Sequence, residues 1–75
     1  MRSVLEKRSF ALSGHRTSVA LEPEFWAVLE EAAQAGGVTL SALVTRLDAG
    51  RGEGQPLASA LRVFALKAGR LIRLA

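Results

Sequence analysis

The chain has 75 residues, no cysteine, one histidine and a formal net charge of +3. Missing cysteine excludes disulfides, thiolate metal sites and thiol chemistry, and so short a chain has a marginal core that oligomerisation commonly reinforces. No apolar run approaches the roughly 18 residues needed to span a bilayer, and MRSVLEKRSF carries charges where a signal peptide needs apolar residues, so a cytoplasmic dimer is expected.

Residues 7–12, KRSFAL, alternate, with Phe10 and Leu12 on one face and Lys7, Ser9 and Ala11 on the other. Ser13-Gly14 supplies a tight turn in which glycine accepts the positive φ that hairpins require. Residues 15–21, HRTSVAL, alternate again, with Thr17, Val19 and Leu21 inward and Arg16, Ser18 and Ala20 outward. The region 7–21 is therefore a hairpin or two separate extended pieces. A lone strand leaves unpaired edges, and the simplest cure is pairing with the same strand of a second copy.

Pro23 suits the first turn of a helix, and Glu22 and Glu24 favour the positive end of its dipole. Phe25, Trp26, Val28, Leu29, Ala32 and Ala33 form one helical face, and Gly36-Gly37 ends a helix of about 23–35. Thr39 reads as the N-cap of a second helix, about 40–48, with Leu40, Leu43, Val44 and Leu47 as its apolar stripe. Phe25, Trp26, Leu29, Leu43, Val44 and Leu47 are the expected shared core. Residues 49–56, AGRGEGQP, read as a glycine-rich loop. A third helix, about 57–68, places Leu57, Leu61, Phe64, Ala65 and Ala68 on one side, with Gly69 as its expected end. Val63 and Leu66 widen its apolar surface nearly all round, which calls for burial on a second side, expected against a partner subunit. The expected architecture is one domain, mainly α with a short N-terminal strand or hairpin.

Charge is segregated along the chain: residues 1–18 carry a net +3, residues 19–48 a net −4 and residues 49–75 a net +4. Such a layout fits one surface that meets a polyanion and another that faces away, or simply a soluble protein's need for charge.

An enzyme is not expected, nor a metal or cofactor. His15, Thr17 and Ser18 are too close along a strand to form a nucleophile–base pair by spacing alone, and no acid is placed to orient the imidazole. GRGEG, residues 50–54, lacks the Lys-Ser/Thr and the preceding strand of a phosphate-binding loop. A two-stranded ribbon, by contrast, has the width to enter the DNA major groove, where base edges carry a unique donor and acceptor code. A ribbon made from two copies of residues 15–21 would present Arg16 and Ser18 twice; the alternative is an ordinary solvated sheet face. The second helix begins at Thr39, Leu40 and Ser41, where free N–H groups and the dipole favour an anion. Ordinary capping explains the same threonine.

The segment RTSVALEPEFWAVLEEAAQAGGVTLSALVTRLD, residues 16–48, resembles the ribbon-helix-helix proteins, the class that includes the Arc and MetJ repressors. KRSFALSGHRTSVALEPEFW together with LASALRVFAL is similar to a family of short, stand-alone bacterial members, over residues 7–66. The resemblance implies an intertwined homodimer with an intermolecular antiparallel β-ribbon, plus an extra C-terminal helix. It implies that Arg16, Ser18 and Ala20 read bases and that Thr39, Leu40 and Ser41 hold a phosphate. Ala20 stands where a longer polar reader is common.

The expected function is that of a dimeric DNA-binding transcription regulator, with Lys7 and Arg8 also on phosphates. A second reading groups Lys7, Arg8, His15 and Arg16, with Ser9, Thr17 and Ser18 beside them, as a site for a phosphorylated ligand such as a cyclic dinucleotide. A third is a protein-interaction module that uses the last helix.

Overall fold

The computed structural model describes residues 4–74, with side chains as far as Gly69; Arg2, counted above in the basic N-terminal segment, lies outside the described residues. Five elements follow in chain order: β1 (Glu6–Leu12), β2 (His15–Leu21), α1 (Pro23–Ala35), α2 (Leu40–Gly50) and α3 (Leu57–Leu74).

The strands pair antiparallel as a hairpin, in register from Glu6↔Leu21 to Leu12↔His15. Ser13 (φ 52°) and Gly14 (φ 80°) form the two-residue turn. Positive φ at both central positions is the signature of a type I′ turn, whose twist matches that of the flanking strands. Strand β2, expected to find its partner in a second copy, thus has one in its own chain. The reason is entropic: a two-residue connection holds β1 beside β2 with almost no loop to close. The other edge of β2 carries no strand among the described residues.

Pro23 opens α1 behind an extended Glu22, whose carbonyl accepts from the amides of Phe25 and Trp26. Gly36 and Gly37 close the helix, and Gly37 takes the left-handed conformation at φ 70°. Thr39 caps α2 through its hydroxyl, which accepts from the Ala42 amide at 3.0 Å. Two helix ends fall later than the glycines suggest. Helix α2 runs through Gly50, and α3 passes through Gly69 to Leu74. Neither glycine has a positive φ. Glycine within a helix costs about 1 kcal/mol relative to alanine, a cost that packing of α3 against α1 offsets; Gly69 lies beside the Val28 side chain.

One face of the hairpin covers the helices. Phe10, Leu12, Val19 and Leu21 pack with Trp26, Leu29, Ala33, Leu43, Val44, Leu61 and Ala65 in a single buried cluster, and Phe25 and Leu47 pack against it half-buried. Trp26 is its largest member, only 1% exposed, and lies tilted against Phe10 with ring centroids 5.8 Å apart. Its indole N–H donates to the Glu6 carbonyl at 2.8 Å, tying α1 to the first residue of β1.

Two arginines cover the adjacent aromatics. Arg8 lies over Trp26, 4.8 Å from the ring centroid, and donates to the carboxylates of Glu6 on its own strand and Glu30 on α1. The hydrogen bond to Glu30 leads the interactions that hold the Arg8 guanidinium above its already high ordinary range. Arg62 of α3 lies over Phe25 at 5.8 Å and donates from Nε to Glu22 at 3.0 Å. A hydrogen bond from its own backbone, then that from Arg62, pulls the Glu22 carboxyl below its ordinary range.

Trp26→Phe keeps an aromatic ring but leaves the Glu6 carbonyl without its donor, and should cost about 1–3 kcal/mol in chemical denaturation. The Glu22 shift has a definite sign: a carboxyl with a lowered folded pKa adds stability above its unfolded pKa and loses it as pH falls through the folded value. The thermal midpoint of Glu22→Gln should therefore lie below that of the parent at pH 7, and the gap should close towards pH 3. A gap that persists in acid would remove the ionised Glu22–Arg62 pair from the account.

Candidate nucleic-acid interface

Strand alternation decides what the hairpin shows to solvent. Because Phe10 and Leu12 of β1 and Val19 and Leu21 of β2 face the core, their neighbours Lys7, Ser9, Ala11, Arg16, Ser18 and Ala20 share the opposite face. The register sets Lys7 opposite Ala20, Ser9 opposite Ser18 and Ala11 opposite Arg16. The two serine hydroxyls are hydrogen-bonded across the strands at 2.9 Å. A cation thus stands at each end of the face, roughly 13 Å apart along the ribbon, with a hydroxyl pair between them. No carboxylate of the two strands shares this face. Lys7, Ser9, Arg16 and Ser18 are all exposed, and Ala20 is half-covered.

The same alternation separates other residues that the sequence suggests grouping. Arg8, His15 and Thr17 fall on the core side of the ribbon, opposite Val19, Leu12 and Phe10 respectively. His15 is exposed at the turn end, whereas Arg8 is engaged by Glu6, Glu30 and the Trp26 ring. Lys7 and Arg16 are therefore brought to one face, and Arg8 and His15 to the other. The four do not form one pocket. The role of Arg8 as a clamp was missed in the sequence, although a signal was there: it lies two residues before Phe10, on the buried parity of β1.

The start of α2 supplies a different kind of group. With the Thr39 hydroxyl turned to the Ala42 amide, the backbone N–H groups of Leu40 and Ser41 have no acceptor within the helix. Thr39 and Ser41 are exposed and Leu40 is half-buried against the core. The Ser41 carbonyl accepts from the Thr45 hydroxyl one turn on, at 2.9 Å. Among the described residues, no group of three or more His, Asp or Glu side chains is placed to hold a metal ion. No helix among them is long and apolar enough to cross a membrane.

Comparison with known proteins agrees with this geometry. An uncharacterized protein from Bordetella pertussis Tohama I has a solved structure that matches with a TM-score of 0.83 and 38% sequence identity, covering 96% of this chain and 61% of that one. The present chain thus spans about three-fifths of that protein's length. No match is found among curated proteins. The family model for the ribbon-helix-helix domain matches residues 5–68, which take in the hairpin, both core helices and most of α3, and the chain belongs to that family.

Proposed function

We propose that this protein is a dimeric, cytoplasmic DNA-binding regulator that meets DNA with the solvent face of its hairpin, β2 entering the major groove. One observation carries the reading: Lys7, Ser9, Arg16 and Ser18 share a carboxylate-free face of a two-stranded ribbon whose other face is sealed by the core. Arginine can hold guanine through two hydrogen bonds and serine can donate or accept, so the face has the chemistry of base readout. Family membership supports the same reading, since ribbon-helix-helix domains are commonly DNA-binding regulators.

The intramolecular hairpin refines how such a dimer would meet DNA. Pairing through the open edge of β2 gives a four-stranded sheet, with the two β2 strands in the centre and a β1 on each side. Its outer strands would lie about 14 Å apart, wider than the roughly 12 Å major groove. Only the central pair can enter. Arg16, Ser18 and Ala20 then face base edges, while Lys7 and Ser9 on β1 ride over the groove walls, where phosphates lie. Ser9 also holds the Ser18 hydroxyl by the hydrogen bond between them. The N–H groups of Leu40 and Ser41 provide a further phosphate site.

Arg16 and Lys7 should therefore fail in different ways. Arg16→Ala should cost about 1–3 kcal/mol for each base pairing it makes and relax the preference for one base. Lys7→Ala should weaken binding uniformly across sequences and make the salt dependence shallower by about one unit for each phosphate no longer neutralised. Selection from random DNA followed by titration at several salt concentrations measures both. No enriched site, or an Arg16→Ala variant with unchanged affinity for the best site, overturns the reading.

A further inference from the structure

At the far end of α2 from Thr39, a cavity of about 250 Å³ opens between α2, the glycine-rich loop and α3. Leu47, Ala60, Val63 and Phe64 supply its apolar wall, and Arg46, Arg51 and Lys67 supply cations at its rim. Arg51 is held by Asp48, with Nε donating to the carboxylate at 2.8 Å. Arg46 and Lys67 are exposed and make no salt bridge among the described residues.

We propose that this cavity is a docking site for an acidic peptide segment of another protein, one that inserts an apolar side chain and sets carboxylates against Arg46 and Lys67. Three observations carry the assignment. The first is size: small-molecule pockets usually run from about 300 to 1,000 Å³, and this opening falls below that range, matching a side-chain anchor instead. An apolar anchor ringed by polar contacts is the common form of an interface hot spot. The second is charge: Arg46 and Lys67 make no salt bridge among the described residues, no carboxylate belongs to the cavity lining, and the neighbouring Asp48 carboxylate is occupied by Arg51. The third is that, among the described residues, a second copy of this chain offers no matching key. The large apolar side chains it exposes among the described residues are Val4, Leu5, Val63 and Leu66. Val63 and Leu66 are flanked by Arg62 and Lys67, and the acid beside Val4 and Leu5 is Glu6, which is held by Arg8.

The cavity lies about 9–15 Å along α2 from the proposed phosphate contact at its start, so peptide and DNA can be held together. The ribbon and the cavity share no residue, and this inference does not depend on the DNA reading.

The test is selection of the intact chain against a random peptide library. Enriched peptides should combine Asp or Glu with a Leu, Phe or Trp anchor, and should shift the amide resonances of Leu47, Gly50, Val63 and Lys67. Their affinity should fall about tenfold or more in Val63→Glu, and likewise in the double variant Arg46→Glu/Lys67→Glu. All three positions are exposed, so circular dichroism should confirm that the variants fold. Wild-type DNA binding by Val63→Glu would show that the two surfaces are separate. No enrichment, enrichment of basic or neutral peptides, or acidic peptides that bind the variants as well as the parent overturns the proposal. So does a light-scattering mass that halves in Val63→Glu, because the cavity would then be covered by a second copy.

Discussion

A two-stranded hairpin has little stability in water by itself, and here it is held by the ring of Trp26. That indole fills the space between ribbon and helices, meets Phe10 of β1, and gives its N–H to the Glu6 carbonyl. Arg8 then closes over the ring and bridges β1 to Glu30 of α1. Three kinds of interaction converge on one side chain: apolar burial, a hydrogen bond into the strand, and a cation over the ring. The arrangement sets the ribbon's position relative to α1, so the orientation of the solvent face depends on it.

With the ribbon so fixed, the period of two in a strand separates structural charge from available charge. Lys7 and Arg8 are adjacent and chemically similar, yet they serve opposite ends. Arg8 has the parity of Phe10 and Leu12, and its charge is taken up by Glu6 and Glu30. Lys7 has the parity of Ser9 and remains in solvent. A one-residue slip in register would exchange them and turn Phe10 outward, which the buried cluster opposes. The same logic explains why Arg62 is not part of any basic surface, because Glu22 and the Phe25 ring hold it.

Among the described residues, the lysines and arginines that remain fall into two sets, Lys7 with Arg16 on the ribbon and Arg46 with Lys67 beside the cavity. They differ in what accompanies them. The ribbon cations flank hydroxyls and alanines on a slender face suited to a groove. The cavity cations border an apolar hollow suited to a side chain. Net charge treats these sets alike; their neighbours distinguish them.

Much of this was legible from residues alone, because the signals were local. Ser13-Gly14, Pro23, Gly36-Gly37 and Thr39 act through backbone φ, a missing amide or a side-chain cap, and the structure has a turn or a helix end at each. Apolar spacing placed Phe10, Leu12, Val19, Leu21, Trp26 and Leu29 towards one core. What the sequence could not decide was choice of partner. Whether β2 pairs within the chain, whether Arg8 meets a phosphate or a glutamate 22 positions away, and whether Gly69 ends a helix or rests against Val28 all depend on distant segments. Periodicity determines which face a residue occupies, and only tertiary packing determines what lies across from it.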